Sequence, residues 1–472
     1  MSDSPARRTN LVCTIGPTSS GRVAELIAAG MDVARLNFSP GTPASIEKNA
    51  RAVREAADDA GRRVALLADL SGPKIRIGDL RGGSVTLERG GRFRLEPRAS
   101  APPGAATRAS VTYRSLARDV QVGDRILLAD GAVELRVVTR DGDVETEVIR
   151  GGTIRSRAGV SIPSERMTGY ALTAKDRADA PRALALGVEY VAQSFVRRAD
   201  DIRVLRELLG PAGPPIVAKI ETRPAIEDFD AILGAADAVM IARGDMGVEL
   251  PYEEVPIIQK QLVRRALDRG IPSIVATQML ESMISSPRPT RAEASDVANA
   301  VFDGADAIML SGETAIGAYP VLAAEAAARI CRLCEQRGGE HLAAGAAQPT
   351  DSDARALTYA AVKLADAEPD IDAIACYTRS GWTARVLSSL RPHVPIFAFS
   401  PDPHVVARLA LVHGVVAATC VPPADTASRL GLMAWLLREA ASVPPGSAVV
   451  LVASTASPGT GPNLLEVHRL PN

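Results

Sequence analysis

The sequence predicts an α/β protein whose core is a (β/α)8 barrel, with a small all-β insertion and a C-terminal α/β domain. Three observations predict it. Short apolar runs rich in Val, Ile and Ala alternate with helix-length amphipathic stretches, the pattern of parallel strands joined by crossover helices. These runs number eight, the count that closes such a barrel, and nearly all end in polar or charged residues, where barrels place their sites. An open doubly wound sheet also contains runs of this kind; the polar run ends favour the barrel. Finally, a stretch of short alternating strands with Gly, Pro and Asp turns breaks the rhythm after the third run. A chain of 472 residues is long enough for about three domains.

In chain order the runs are LVCTI (11–15), DVARLNF (32–38), VALLADL (64–70), YVAQSFV (190–196), PIVAKIE (215–221), AVMIARG (238–244), SIVATQM (273–279) and AIMLSGE (307–313). The insertion occupies 78–162 and includes GSVTLERGGRFRLE and DRILLADGAVELRVVTRDGDVETEVI. After the eighth run and its helix, GGEHLAAGAAQPTDSD (338–353) has linker composition. DAIACYT (372–378), VPIFAFS (394–400), VVAAT (415–419) and SAVVLVAS (447–454) then read as strands of the third domain.

Fifty-four basic against 55 acidic residues give a net charge of -1, so no overall field draws nucleic acid or an anionic membrane. The opening MSDSPARR is polar, and no run reaches the roughly 18 apolar residues that span a bilayer, so a cytoplasmic protein is expected. The five cysteines are expected to be free thiols, and Cys331 and Cys334, spaced C-x-x-C within AARICRLCEQR, read as buried helix positions rather than a zinc or redox pair.

All five histidines follow residue 340, so chemistry in the barrel must use carboxylates, lysine, hydroxyls or a metal. Only six of the 54 basic residues are lysine, and Lys48, Lys260 and Lys363 fall in solvent-facing helical patterns. The other three, Lys74, Lys175 and Lys219, lie in the segments that follow. Alternate strand residues share a face, so Arg35, Asn37 and Ser39 stand together, as do Lys219 and Glu221. The following run delivers Asp245 in ARGDMG, between glycines that permit close backbone approach. Two readings stand side by side here. Glu221 and Asp245 either share a hard divalent cation or form a salt bridge with Lys219. Thr277 ends the seventh run, Ser311 and Glu313 the eighth. The tight turn in DLSGPKIR brings Lys74 and Arg76 to the rim near Arg35, a cation cluster suited to substrates with several phosphates or carboxylates.

The segments VCTIGPTSS, MDVARLNFSPG, DLSGPKIRIG, IVAKIET, MIARGDMGVEL, ATQMLESM, PRPTRAEASDVANAVFDGADAIMLSGETA and TRSGWTARVLSSLRP resemble, in this order, the pyruvate kinase family over essentially the whole chain. The resemblance implies a TIM barrel of residues 1–77 and 163–340, a small β-barrel lid of 78–162 and an allosteric domain of 345–472. It implies a homotetrameric glycolytic enzyme that moves the phosphoryl group of phosphoenolpyruvate to ADP, giving pyruvate and ATP. Glu221 and Asp245 would hold Mg2+, for which Mn2+ could substitute. Lys219 would face the phosphoryl group and the enolate oxygen. Thr277 and the amides of Gly244 and Asp245 would hold the substrate carboxylate, with Thr277 near the face where the enolate is protonated. Arg35 and Arg76 would contact phosphates, Ser194 would line the substrate site, and Asn37 and Lys175 would belong to the nucleotide side. Lys219, Thr277 and Arg35 are thus the expected catalytic residues.

Asn37, Ser39, Asp69 and the Leu70 carbonyl match the family's monovalent-cation ligands, but Lys74 in GPKIR resembles members that work without potassium. Potassium is therefore not expected to be required. The chain departs from the family at Pro40, Ile316, Ala318 and Ala129, all near the nucleotide side or lid, while Asp130 is kept. Thr378, Ser380, Gly381 and Thr383 open a helix after a strand and suit either a phosphorylated effector or a simple helix cap. SPGTGPN (457–463) resembles the loop closing over such an effector. Two other functions compete with phosphoryl transfer. One is a barrel aldolase using Lys219 as a Schiff-base amine, and the other is a regulatory paralogue with weak turnover.

Overall fold

The computed structural model describes residues 7–39, 41–98, 102–169, 171–338, 352–421, 426–439, 443–454 and 462–471. Each of the eight expected runs is a strand: β1 (Asn10–Thr14), β2 (Val33–Asn37), β3 (Ala65–Asp69), β4 (Tyr190–Gln193), β5 (Ile216–Ile220), β6 (Ala238–Ala242), β7 (Ser273–Ala276) and β8 (Ala307–Leu310). All eight pair in parallel, and β1 meets both β2 and β8, closing the barrel. Most strands stop before the polar run ends, so Ser194, Glu221, Asp245, Thr277 and Ser311 sit just beyond the ladder, on loops or first helical turns.

Alternation divides each strand between two apolar clusters. Val12, Val33, Leu67, Tyr190, Val217, Met240, Ile274 and Met309 fill the barrel interior, while Leu36, Leu66, Val191, Ile220 and Ile241 join the layer beneath the helices. The same alternation carries Arg35, Asp69 and Lys219 inward, two residues beyond Val33, Leu67 and Val217. Threonine caps start the helices that matter here: Thr42, Thr173 and Thr290 each accept from the backbone three residues on. Lys48, Lys260 and Lys363 are exposed on helices, and the five cysteines are buried free thiols.

The insertion surrounds a core of its own, which includes Ile75, Ile77, Phe93, Leu135 and Ile162. The lid is built from a six-stranded sheet and a two-stranded sheet. The cause is local. After Asp143–Arg150 the chain passes Gly151, where a Cβ would lie 2.4 Å from the Leu87 carbonyl, and Gly152–Arg155 then pairs with Ser84–Leu87 instead of continuing the larger sheet.

In the C-terminal domain the four expected strands are present as Ile371–Tyr377, Ile396–Ser400, Val415–Thr419 and Ala448–Ala453, in one parallel arrangement. A fifth strand that the sequence reading did not find, Leu464–Arg469, adds antiparallel to Ala448–Ala453. The linker at 339–351 lies outside the described residues. Among the described residues no helix is long and apolar enough to cross a membrane.

The barrel's lower end is stopped by the C-terminal domain. Leu411, fully buried, belongs to the interior cluster of the barrel. Around it, Tyr190 Oη donates to the Arg408 carbonyl, and Arg391 pairs with Asp306 at 3.2 Å with both side chains nearly inaccessible. Leu411→Ala should therefore cost about 2–5 kcal/mol. It should lower the urea midpoint both by far-UV circular dichroism and by fluorescence of Trp382 and Trp435, the chain's two tryptophans, which belong to the C-terminal domain. An unchanged midpoint would show that the plug adds no stability.

Candidate active site

Four charged side chains meet at the upper mouth of the barrel. Arg35 reaches Asp69 Oδ2 through Nε and Nη2 at 2.7 and 2.6 Å and donates from Nη1 to Thr14 Oγ1 at 3.0 Å. Lys219 Nζ lies 2.8 Å from Glu221 Oε1 and 3.5 Å from Asp69 Oδ1, and donates to Ser194 Oγ at 2.7 Å. The Ser194 hydroxyl in turn donates to the Leu70 carbonyl at 2.7 Å. Close approach of the Gly72 turn makes this possible: its φ is +63°, and a Cβ there would lie 2.8 Å from Phe195 and 2.9 Å from Ser194.

Burial sets the electrostatics. It would lower the Lys219 pKa, but Asp69 and then Glu221 outweigh it and hold the ammonium above its ordinary range. Burial would raise Asp69, but Lys219 and Arg35 keep its carboxyl below the usual value. Glu221 differs: burial pushes it up, Lys219 only partly offsets this, Asp245 adds to the rise, and the carboxyl stands at about 7.

The Lys219–Glu221 contact is an ion pair by distance, yet neither Glu221 oxygen accepts a well-aligned hydrogen bond, although both are buried. An unsatisfied buried carboxylate is costly. Glu221 and Asp245 line one narrow crevice of about 60 Å3, together with Lys74 and the lid residue Asp130. No group of three or more His, Cys, Asp or Glu gathers to hold a metal among the described residues. The chain thus offers two carboxylates and no nitrogen or sulfur donor, a set suited to a hard cation that takes its remaining ligands from substrate and water.

Beside them, Thr277 has φ +72°, the left-handed region, rare for a β-branched residue. Its Oγ1 accepts from the Gly244 amide at 2.7 Å, and its carbonyl accepts from Arg243 at 2.7 Å. Arg243 is held by Asp296 at 2.7 Å. Arg35, Lys219, Asp245, Thr277 and Ser311 all line an inner cavity of about 330 Å3.

A larger cleft of about 650 Å3 opens outward between barrel and lid, lined by Asn37, Ser39, Lys74, Arg76, Lys175 and the lid's Tyr113. Arg76 belongs to this outer cleft and does not line the inner cavity with Arg35. The reason is its pairing with the lid: it bridges to Gly159, and its guanidinium donates to the Arg157 carbonyl at 2.8 Å. Lys175 donates to the Phe38 carbonyl at 2.6 Å and pairs with Asp179.

The oxygens of the expected monovalent-cation region mostly have donors already. Asn37 Oδ1 accepts from the Ser39 amide at 3.0 Å, Asp69 faces Arg35 and Lys219, and the Leu70 carbonyl accepts from Ser194. Exposed Lys74 lines the crevice, the inner cavity and the outer cleft alike. Among the departures, Ile316 is 63% exposed at the inner cavity and Ala129 and Asp130 form a turn with positive φ. Pro40 lies outside the described residues.

In the C-terminal domain, Thr378 Oγ1 accepts from the Gly381 amide at 3.0 Å, and Ser380 Oγ accepts from Trp382 at 3.4 Å, so these hydroxyls cap the loop before helix Trp382–Ser389. Thr383 is buried. Residues 457–461 of the expected closing loop lie outside the described residues.

Arg243 and Glu249 were not singled out from sequence. Both sit in MIARGDMGVEL, but their partners, Thr277, Asp296 and Ser164, are 34, 53 and 85 residues away.

Comparison with known proteins agrees with this geometry. Residues 6–324 match the family model described as pyruvate kinase, barrel domain, and residues 355–468 that described as pyruvate kinase, alpha/beta domain. The chain is 41% identical to a pyruvate kinase of Corynebacterium glutamicum over 98% of each chain. It is 42% identical to one of Mycobacterium tuberculosis over 98% of each. A solved pyruvate kinase from Cryptosporidium parvum superposes with a TM-score of 0.89 at 32% identity, covering 98% of this chain and 96% of the other. With barrel, terminal domain and whole-length identity all in agreement, this chain belongs to the pyruvate kinase family and is a phosphotransferase.

Proposed function

We propose that the chain transfers the phosphoryl group of phosphoenolpyruvate to ADP with Lys219, Thr277 and Arg35 as its catalytic groups. The observation that carries this reading is the buried row Arg35–Asp69–Lys219–Glu221, in which the Glu221 oxygens lack aligned donors. Glu221 and Asp245 would hold Mg2+, or Mn2+ in its place, and the ion when bound supplies positive charge against the substrate's anionic oxygens. Arg35 and Lys219 add fixed positive charge on the phosphoryl side. Phosphoryl transfer needs positioning and neutralisation more than covalent chemistry, which suits a mouth without histidine. The Gly244 and Asp245 amides and the Thr277 hydroxyl would bind the carboxylate, with Thr277 positioned for protonation of the enolate. Asn37, Arg76 and Lys175 line the outer cleft, which has room for a nucleotide.

A Schiff-base aldolase needs an unprotonated amine at neutral pH. Two carboxylates hold Lys219 in the cationic form instead, which weighs against that chemistry. Weak turnover would rest on Pro40, Ile316 and Ala318, and among the described residues neither Ile316 nor Ala318 supplies a side chain to the charged row.

We assign Lys74 the place of the monovalent ion's charge, because it borders all three cavities while most of the oxygens expected to bind the ion already have donors. By analogy with the family, the reading also assigns the chain a phosphorylated effector at Thr378, Ser380, Gly381 and Thr383, a homotetrameric assembly and a cytoplasmic location.

Lys219→Met should lower kcat by at least about 100-fold, some 3 kcal/mol, in a coupled assay of ADP-dependent pyruvate formation. Near-wild-type turnover would remove Lys219 from catalysis. Because Lys219 stays protonated through the neutral range, borohydride with pyruvate should leave the wild-type mass unchanged; a reduced adduct on Lys219 would favour the aldolase. In the same coupled assay, with Mg2+ and a sodium-free tetramethylammonium buffer, added KCl should change the rate less than about twofold, whereas Lys74→Glu should make activity depend on KCl. A strong potassium requirement in the wild type would overturn the role given to Lys74.

A further inference from the structure

We infer that Glu249 is a positioning residue that couples the substrate-binding helix to the lid. Glu249 is the last residue of the short helix Arg243–Glu249, whose first turn carries Gly244 and Asp245. An acidic side chain at a helix C-terminus faces the negative end of the helix dipole, so its presence there is not explained by helix stability. Its partners explain it. Glu249 Oε1 accepts from the Ser164 amide at 3.3 Å and from the Ser164 hydroxyl, and the Arg223 backbone lies beside the carboxylate.

Each partner marks a different piece of the site. Ser164 is 3% exposed and lies where the lid rejoins the barrel, two residues after Ile162 of the lid core. Arg223 starts the helix two residues after Glu221. One carboxylate thereby joins the segment carrying Asp245 to the turn by which the lid rejoins the barrel, and stands beside the segment carrying Glu221. Glu249 lines the same crevice as Glu221, Asp245 and the lid's Asp130 and Ser161. Beyond Ser164, Arg197 fixes the exit segment to the barrel through the Met167 and Gly169 carbonyls. Lid movement must therefore pivot at or above Ser164, where Glu249 holds it. Ordering of the Gly244–Asp245 turn by ligand passes through Glu249 to the pivot, and the lid is aligned only when the substrate side is in place.

This inference rests on the site assignment above, and hydrogen exchange on the full-length protein, with and without Mg2+ and phosphoenolpyruvate, tests the two separately. In the wild type the ligands should slow exchange in 243–249 and in 163–169. In Glu249→Ala the first protection should remain and the second disappear, with kcat down about tenfold or more and KM for phosphoenolpyruvate changed less than about twofold. Glu249→Gln, which keeps an acceptor oxygen for Ser164, should recover most of kcat. Ser164→Ala should reproduce the loss at 163–169 in part, and it carries the test should Glu249→Ala not fold. Ligand-induced protection of 163–169 that survives in Glu249→Ala, or that Ser164→Ala leaves undiminished, overturns the coupling alone. Absence of wild-type protection at 243–249 overturns the site assignment, and the coupling with it.

Discussion

The constraint on which this site depends is the burial of alternating charges inside a barrel mouth. Arg35, Asp69, Lys219 and Glu221 point inward because they continue the strand faces of Val33, Leu67 and Val217, so the periodicity that builds the apolar interior also delivers the charges above it. Removing such groups from water is expensive, and ion pairing alone often fails to recover the cost. Asp69 recovers it, bracketed by two cations that depress its pKa. Glu221 does not, since one partner at 2.8 Å leaves its pKa at about 7. The row is complete as far as Asp69 and incomplete at Glu221. The deficit lies on the side where Asp245 faces it across the crevice.

The two readings of the acidic pair made from sequence are therefore not exclusive. Lys219 does form a salt bridge with Glu221, which is the structural reading, but the bridge fails to satisfy the carboxylate. A purely structural ion pair is expected to align its hydrogen bonds and lower the acid's pKa. Here the acid's pKa is raised, a feature that clusters at functional sites. The lower end of the barrel shows the contrasting solution: Leu411 and Tyr190 close it with apolar contact and one hydrogen bond, and the Arg391–Asp306 pair there is supported by backbone partners. Stability sits at one end of the cylinder and unsatisfied charge at the other.

How much was legible in the sequence follows from the range of each interaction. The eight barrel strands and four of the terminal domain were readable because apolar periodicity is local, and strand identity then fixed which residues share a face. The strand Leu464–Arg469 escaped because its residues are only partly buried and mix charge with Leu and Val at the sheet edge. The split of the lid into two sheets was hidden because it depends on Gly151 meeting the Leu87 carbonyl, more than sixty residues earlier. That Arg76 lines the outer cleft and not the inner cavity was hidden for a similar reason, since its bridge to Gly159 draws it to the lid. Motif spacing located Lys219, Glu221, Asp245 and Thr277. It could not disclose Arg243 or Glu249 as their supports, because a support is defined by its distant partner and not by its own pattern.

Thr277 shows what such support achieves. A β-branched residue at φ +72° costs about 1–3 kcal/mol and persists only when its surroundings over-determine it. Arg243 does this from below: anchored by Asp296 and Gln259, it grips the Thr277 carbonyl and so fixes the strained peptide. The strained conformation carries Oγ1 to the Gly244 amide at 2.7 Å, so the amide is already hydrogen-bonded when substrate arrives. Under the proposed function, a carboxylate binding at this turn would exchange one acceptor for another at the Gly244 amide, while the Thr277 hydroxyl keeps its own proton on the Ala276 carbonyl. The net gain from such an exchange is smaller than a new charge-assisted bond would give.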